Sequence, residues 1–255
     1  MKAYRWVLNP YSGCGFGCDY CYARSFAPTE MARDAWGRWV KVKENAVALI
    51  EKATRARSPS CRLAPGDSVY LSSVTDPYQP VEAGAGLTRR VLEALLPVQP
   101  RLTVQTRSPL VTRDIDLLRQ FSHVRVSMTV TTDDEGVRRR YEPSCPPIEA
   151  RFAALEQLRA VGIPIGVSVA PMLPLRDADA FGRRLAELEA AEYVTQFLHQ
   201  GGGRFRATTA SATLTRVVRD DGWTGARYAA ARDAIRAALA PVPLLEGAAG
   251  FAPPP

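Results

Sequence analysis

Short apolar runs rich in β-branched residues recur at positions 4–8, 68–72, 101–106, 124–130, 164–170 and 193–199, and each reads as a β-strand. Amphipathic stretches with apolar residues at helical spacing separate them at 44–55, 87–96, 113–121, 148–161 and 178–190, and another follows at 226–239. The chain therefore alternates strand and helix six times. Strands joined through a helix pair in parallel by right-handed crossovers, which curls the sheet. The expected fold class is α/β, a partial (β/α)6 barrel, with functional groups gathered at the C-terminal ends of the strands. Gly162, between a helix and the run Ile163-Pro-Ile-Gly-Val-Ser-Val, marks a helix end entering a strand.

Composition adjusts this picture little. With 255 residues and 46% hydrophobic content, one core domain over 1–248 is expected, followed by a loose Pro-rich tail at 249–255, ending Phe251-Ala-Pro-Pro-Pro255. No apolar run is long enough to span a membrane, and Met1-Lys-Ala-Tyr-Arg-Trp has no signal-peptide core, so a cytoplasmic protein is expected. Thirty-three Lys and Arg against twenty-six Asp and Glu give +7, which favours a polyanionic partner such as nucleic acid or an acidic electron donor. Arg138-Arg139-Arg140 is the one basic run that stands out.

Chemistry concentrates in the cysteines. There are five, and three of them fall within eight residues, which suits a metal group better than a disulfide framework. The segment Asn9-Pro-Tyr-Ser-Gly-Cys14-Gly-Phe-Gly-Cys18-Asp-Tyr20-Cys21-Tyr22 follows the first expected strand, so Cys14, Cys18 and Cys21 sit on a loop at the active end. Gly13, Gly15 and Gly17 let that loop wrap closely around an object. Three thiolates at these spacings reach three irons of a cubane and leave the fourth iron open. A structural zinc site wants four ligands, and neither His123 nor His199 lies near in sequence. A non-catalytic iron-sulfur protein for electron transfer remains a rival, and it requires a fourth protein ligand.

The Cys-x3-Cys-x2-Cys spacing, with an aromatic residue before the last cysteine, resembles the radical S-adenosylmethionine (SAM) superfamily, and Cys-Asp-Tyr-Cys-Tyr resembles its spore photoproduct lyase-like branch. The likeness extends to Ser72-Ser-Val-Thr-Asp-Pro-Tyr-Gln-Pro-Val-Glu82, to Thr106-Arg-Ser108 and to Ser127. The resemblance implies a 4Fe-4S cluster on Cys14, Cys18 and Cys21 and SAM chelated to the open iron. It also implies a 5′-deoxyadenosyl radical that abstracts hydrogen from substrate, and a flavodoxin- or ferredoxin-type reductant. By the same resemblance Tyr20, Thr75, Arg107 and Ser127 contact SAM, with Ser73 a further contact, and Tyr20 and Tyr22 match a tyrosine relay. Asp76, with Tyr78 and Glu82, lies where substrate is held, although Asp-Pro is equally an ordinary turn.

Two departures matter. Arg107 replaces a lysine, which keeps the charge and changes the donor geometry. Ser73 replaces a hydrogen-donating cysteine, and a hydroxyl is a far poorer hydrogen-atom donor, so thymine-dimer repair by that route is not expected. The substrate stays open between nucleic acid and a peptide or small metabolite. Gly201 to Gly203 permit close backbone approach to a ligand. Glu142 and Arg151 are expected to form a structural ion pair, and Cys61 and Cys145 to be ordinary thiols.

Overall fold

Every strand of the main sheet is short, and most are buried on both faces, as expected where helices pack outside and side chains fill the interior. The computed structural model describes residues 3–198 and 209–253. Its strands are β1 (Trp6–Leu8), β2 (Tyr11–Gly13), β3 (Val40–Val42), β4 (Ser68–Leu71), β5 (Arg101–Thr106), β6 (Val124–Thr129), β7 (Ile165–Val169), β8 (Glu192–Thr195) and β9 (Leu244–Glu246). Seven pair in parallel in the order β1-β4-β5-β6-β7-β8-β9, with β1 and β9 at opposite edges, and β2 pairs antiparallel with β3 apart from them. All six expected strands are present, and the partial α/β barrel read from the sequence is the fold observed. Beyond that reading, β9 adds a seventh parallel strand whose three residues are too few to show a period.

Polar side chains alternate with apolar ones along the central strands. The hydroxyl of Tyr70 donates to Gln105 at 3.2 Å, and the Gln105 amide donates to Thr129 at 2.7 Å, so these residues of β4, β5 and β6 share one inner face with Ser127. Val126 and Met128 point the other way, where helix Ile148–Ala160 packs on β6 and β7. Helices Ala178–Glu187 and Gly225–Leu239 meet through Gly182, where an added Cβ would lie 2.9 Å from that of Ala238. Gly162 ends its helix at φ +79°, with the N–H groups of Gly162 and Ile163 donating to the carbonyls of Arg159 and Leu158. The helix expected at 113–121 is instead a 3-10 turn, Pro109–Asp114, followed by Ile115–Leu118, because Pro109 and the Ser108 cap start a tight turn early.

The floor of the barrel is a buried polar knot. Arg125 and Glu192 pair at 2.9 Å, and Tyr4 hydrogen-bonds Thr103 at 2.8 Å. The carbonyl of Ala252 accepts from Tyr4 at 2.7 Å and from Arg125, so this part of the 249–255 stretch is anchored rather than free. Burial pushes the Glu192 carboxyl up to about 7 against the pull of Arg125. Among the described residues, no helix is long and apolar enough to cross a membrane.

Candidate functional site

The cysteine loop leaves the C-terminal end of β1 and curls through successive backbone turns, Gly17 N–H to the Cys14 carbonyl at 3.3 Å and Cys21 N–H to the Cys18 carbonyl at 3.1 Å. These turns set the three cysteines along one curled loop; burial, and secondarily negative charge on neighbouring groups, raises the thiols of Cys14 and Cys21, the latter to about 11. Gly17 has φ +57°, and an added Cβ would stand 2.9 Å from the Cα of Gly37. Only glycine permits this crossing, which presses the 37–39 segment onto the loop.

The stretch 73–82 clamps the loop from another side. The Asn9 side-chain oxygen accepts from the N–H groups of Ser73 at 3.0 Å and Val74 at 3.2 Å. Thr75 donates its hydroxyl to the Gly13 carbonyl at 2.6 Å and accepts from Gln79 at 3.0 Å, while the Gln79 oxygen accepts from Gly15 N–H at 2.7 Å. Tyr11 donates to Glu82, and Tyr22 to the Ser73 carbonyl. Thr75 thus holds the loop with both functions of its hydroxyl. The candidate Asp76 is buried and filled by donors: Thr106 Oγ1 at 2.7 Å, Tyr78 N–H at 2.9 Å and Arg107 N–H at 2.9 Å. Its geometry is that of a strut tying 73–82 to the end of β5, not of a carboxylate presented to substrate. Burial holds its pKa above the usual carboxylate value.

Behind the thiols lies a charged cluster. Arg107 donates from Nη2 to the Tyr20 hydroxyl at 3.1 Å, lies 5.9 Å over the Tyr20 ring, and sets its Nε 3.9 Å from Glu142. Glu142 meets Arg151 at 2.5 Å with both side chains fully buried, which is the ion pair expected from the sequence. Thr131 donates to Glu142 at 2.9 Å, and Tyr20 donates to it as well. Burial alone would raise the Glu142 carboxyl, but Arg151 and Arg107 hold it down at about 2. Cys145, expected to be an ordinary thiol, has its Sγ 3.5 Å from that of Cys18, 127 positions away in sequence. Sequence spacing carries no signal for that contact. Cys61 is exposed and apart.

Several buried polar atoms near the strand ends have no hydrogen-bond partner among the described residues, notably Ser72 Oγ, Arg107 Nε and Ser127 Oγ. Gly166 pairs with Ser127 across β6 and β7, and a Cβ added there would touch the Ser127 hydroxyl and the Arg125 side chain, both at 3.4 Å. Buried polar atoms without hydrogen bonds fit a polar ligand with carboxylate, amine and hydroxyl groups. Over the loop, the hydroxyls of Thr209 and Thr213 donate to the carbonyls of Tyr20 at 3.2 Å and Asp19 at 3.3 Å. Gly201 to Gly203 lie outside the described residues. Among those residues, no three His, Cys, Asp or Glu side chains converge on one point as a single ion would require. A cubane with an open iron asks for something else, one thiolate on each of three separate irons.

A partial parallel barrel with three neighbouring thiols and unpaired polar atoms at its strand ends is the frame of an enzyme that works through a bound cofactor. The chain belongs to the radical SAM superfamily, whose family model matches residues 8–203. The family implies SAM and an iron-sulfur cluster. An uncharacterized protein of Methanocaldococcus jannaschii is 35% identical over 171 residues, 67% of this chain and 61% of that protein. Streptococcus suis SuiB bound to S-adenosylmethionine is similar in fold, with TM-score 0.59 and 13% identity over 95% of this chain and 50% of its own. A spore photoproduct lyase variant with bound AdoMet and dinucleoside spore photoproduct gives TM-score 0.55 and 16% identity over 86% of this chain and 61% of its own. The chain thus spans less than two thirds of the length of each.

Proposed function

We propose that Cys14, Cys18 and Cys21 hold a 4Fe-4S cluster with SAM beside it, and that the chain begins radical chemistry on its substrate by reductive cleavage of SAM. The observation that carries this reading is a loop with three cysteines next to the Arg107 guanidinium, whose charge acts on Cys18 and Cys21 and whose Nε makes no hydrogen bond, at the mouth of a barrel whose Ser127 hydroxyl likewise makes none. When bound, the cluster and SAM supply a one-electron cleavage and a 5′-deoxyadenosyl radical that takes hydrogen from the substrate.

Arg107, whose Nη2 donates to Tyr20, would pair with the SAM carboxylate, a reading supported by the absence of a hydrogen bond at its Nε. Ser127 offers a hydroxyl to ribose or carboxylate. Thr75 and Asp76 act one step back, fixing the cysteine loop and the Arg107 backbone. Tyr20 and Tyr22, whose hydroxyls are held by Glu142 and the Ser73 carbonyl, exclude water from the cysteine pocket and are the residues a radical relay would use. Ser73 cannot replace a thiol as hydrogen-atom donor, which argues against thymine-dimer repair.

The electron would come from an acidic flavodoxin- or ferredoxin-type protein. Just past Cys21, Phe26 and Met31 are exposed beside Arg33, Arg38 and Lys41, none of which pairs with a carboxylate among the described residues. Nucleic acid is the second reading for the substrate, favoured by the +7 charge and the likeness to a lyase that binds a dinucleoside photoproduct.

Anaerobic reconstitution with iron and sulfide, followed by EPR of the reduced protein, tests the site. SAM is expected to perturb the cluster signal, and Arg107→Met to weaken that perturbation at least tenfold in SAM concentration. A cluster indifferent to SAM would overturn the reading and favour an electron-transfer protein.

A further inference from the structure

Cys145 is buried at the end of the 142–145 turn, and its Sγ lies 3.5 Å from that of Cys18. The turn is fixed: Cys145 N–H donates to the Glu142 carbonyl at 3.0 Å, and Arg138 Nη1 donates to the carbonyls of Glu142 at 3.0 Å and Cys145 at 2.9 Å. Glu142 is in turn locked by Arg151. The backbone that carries the thiol is therefore held by a buried network.

A ligating Cys18 is a thiolate and only accepts hydrogen bonds, so the proton of this contact must sit on Cys145. We infer that Cys145 is an S–H donor to the Cys18 thiolate that raises the reduction potential of the cluster. The inference rests on the cluster reading above. Taking up one electron adds negative charge to the cluster, shared by its thiolate sulfurs, and a donor aimed at one of them stabilises the reduced state more than the oxidised one. Hydrogen bonds to the sulfurs are among the terms that set such potentials, and burial away from water strengthens them. Cys145 is a positioning residue in this role and touches neither SAM nor substrate.

The test is an EPR-monitored potentiometric titration, with dithionite as electron source, of reconstituted wild type, Cys145→Ala and Cys145→Ser. Cys145→Ala is expected to move the midpoint to a more negative potential, with iron content and the SAM-induced spectral change as in wild type. Cys145→Ser keeps a donor of similar size and is expected to shift less. An alanine variant with the wild-type midpoint, or one shifted the other way, overturns the inference and leaves the cluster reading intact. Loss of iron in both Cys145 variants, as in Cys18→Ala, would make Cys145 a ligand and overturn it too. A wild type that assembles no cluster overturns the inference together with the reading it rests on.

Discussion

At Glu142 four side chains meet, those of Arg151, Arg107, Thr131 and Tyr20. A buried carboxylate so dependent on one close cation is costly to strip. Arg151→Ala is expected to lose about 3–5 kcal/mol in denaturant unfolding, as removal of one partner of a buried pair does. A loss below about 1 kcal/mol would show that water already reaches the pair. Glu192, on the barrel floor, makes the opposite electrostatic case. Burial raises its folded pKa to about 7, above the ~4.3 of an unfolded glutamate, although Arg125 and the Ala252 backbone pull it down. The folded state therefore holds an extra proton between these values, and the stability this contributes is present below about pH 4 and lost as pH rises through 7. Wild type is expected to lose about 2 kcal/mol more than Glu192→Gln between pH 5 and 8, read from melts of both proteins. Parallel profiles would mean the Arg125 pair keeps Glu192 ionised throughout. Single residues also mark what the sequence could tell. The cysteine triad is legible because its members are neighbours on one loop. The Cys18–Cys145 contact and the three donors that fill Asp76 are tertiary, and no local period encodes them.

Two elements build the site, the cysteine loop and the 73–82 stretch, and they are joined along their length by Asn9, Tyr11, Thr75 and Gln79. Apart from the three-residue β2 and single turns at their ends, neither has helix or strand to stiffen it, so these side-chain bonds and the close crossing at Gly17 supply much of the rigidity. Gly17→Ala would place a Cβ against Gly37 in a backbone conformation that disfavours side chains. The expected cost is about 2 kcal/mol or more, together with a reduced iron content after reconstitution. Wild-type iron content would show that the 37–39 segment yields without disturbing the cysteines. The main strands were legible because β-branched residues fill them. The β2–β3 ribbon and β9 were not, since three-residue strands carry no alternation and owe their existence to a neighbour in space.

Over the whole molecule, the seven-stranded sheet stays open between β1 and β9, its floor is closed by the Arg125 knot, and its opposite end carries the thiols. On the proposed reading, substrate would enter from the thiol end. If that substrate is nucleic acid, the +7 charge predicts binding whose affinity falls steeply and log-linearly with salt. Salt-independent or undetectable binding of single- and double-stranded oligonucleotides would turn the search to peptides and small metabolites. The central claim, that the three cysteines support SAM cleavage, is tested most directly by anaerobic reconstitution, reduction with dithionite, addition of SAM and assay of 5′-deoxyadenosine, with Cys18→Ala alongside. The account predicts 5′-deoxyadenosine from wild type and none above background from the variant. A fully assembled cluster in wild type that never yields 5′-deoxyadenosine would contradict it.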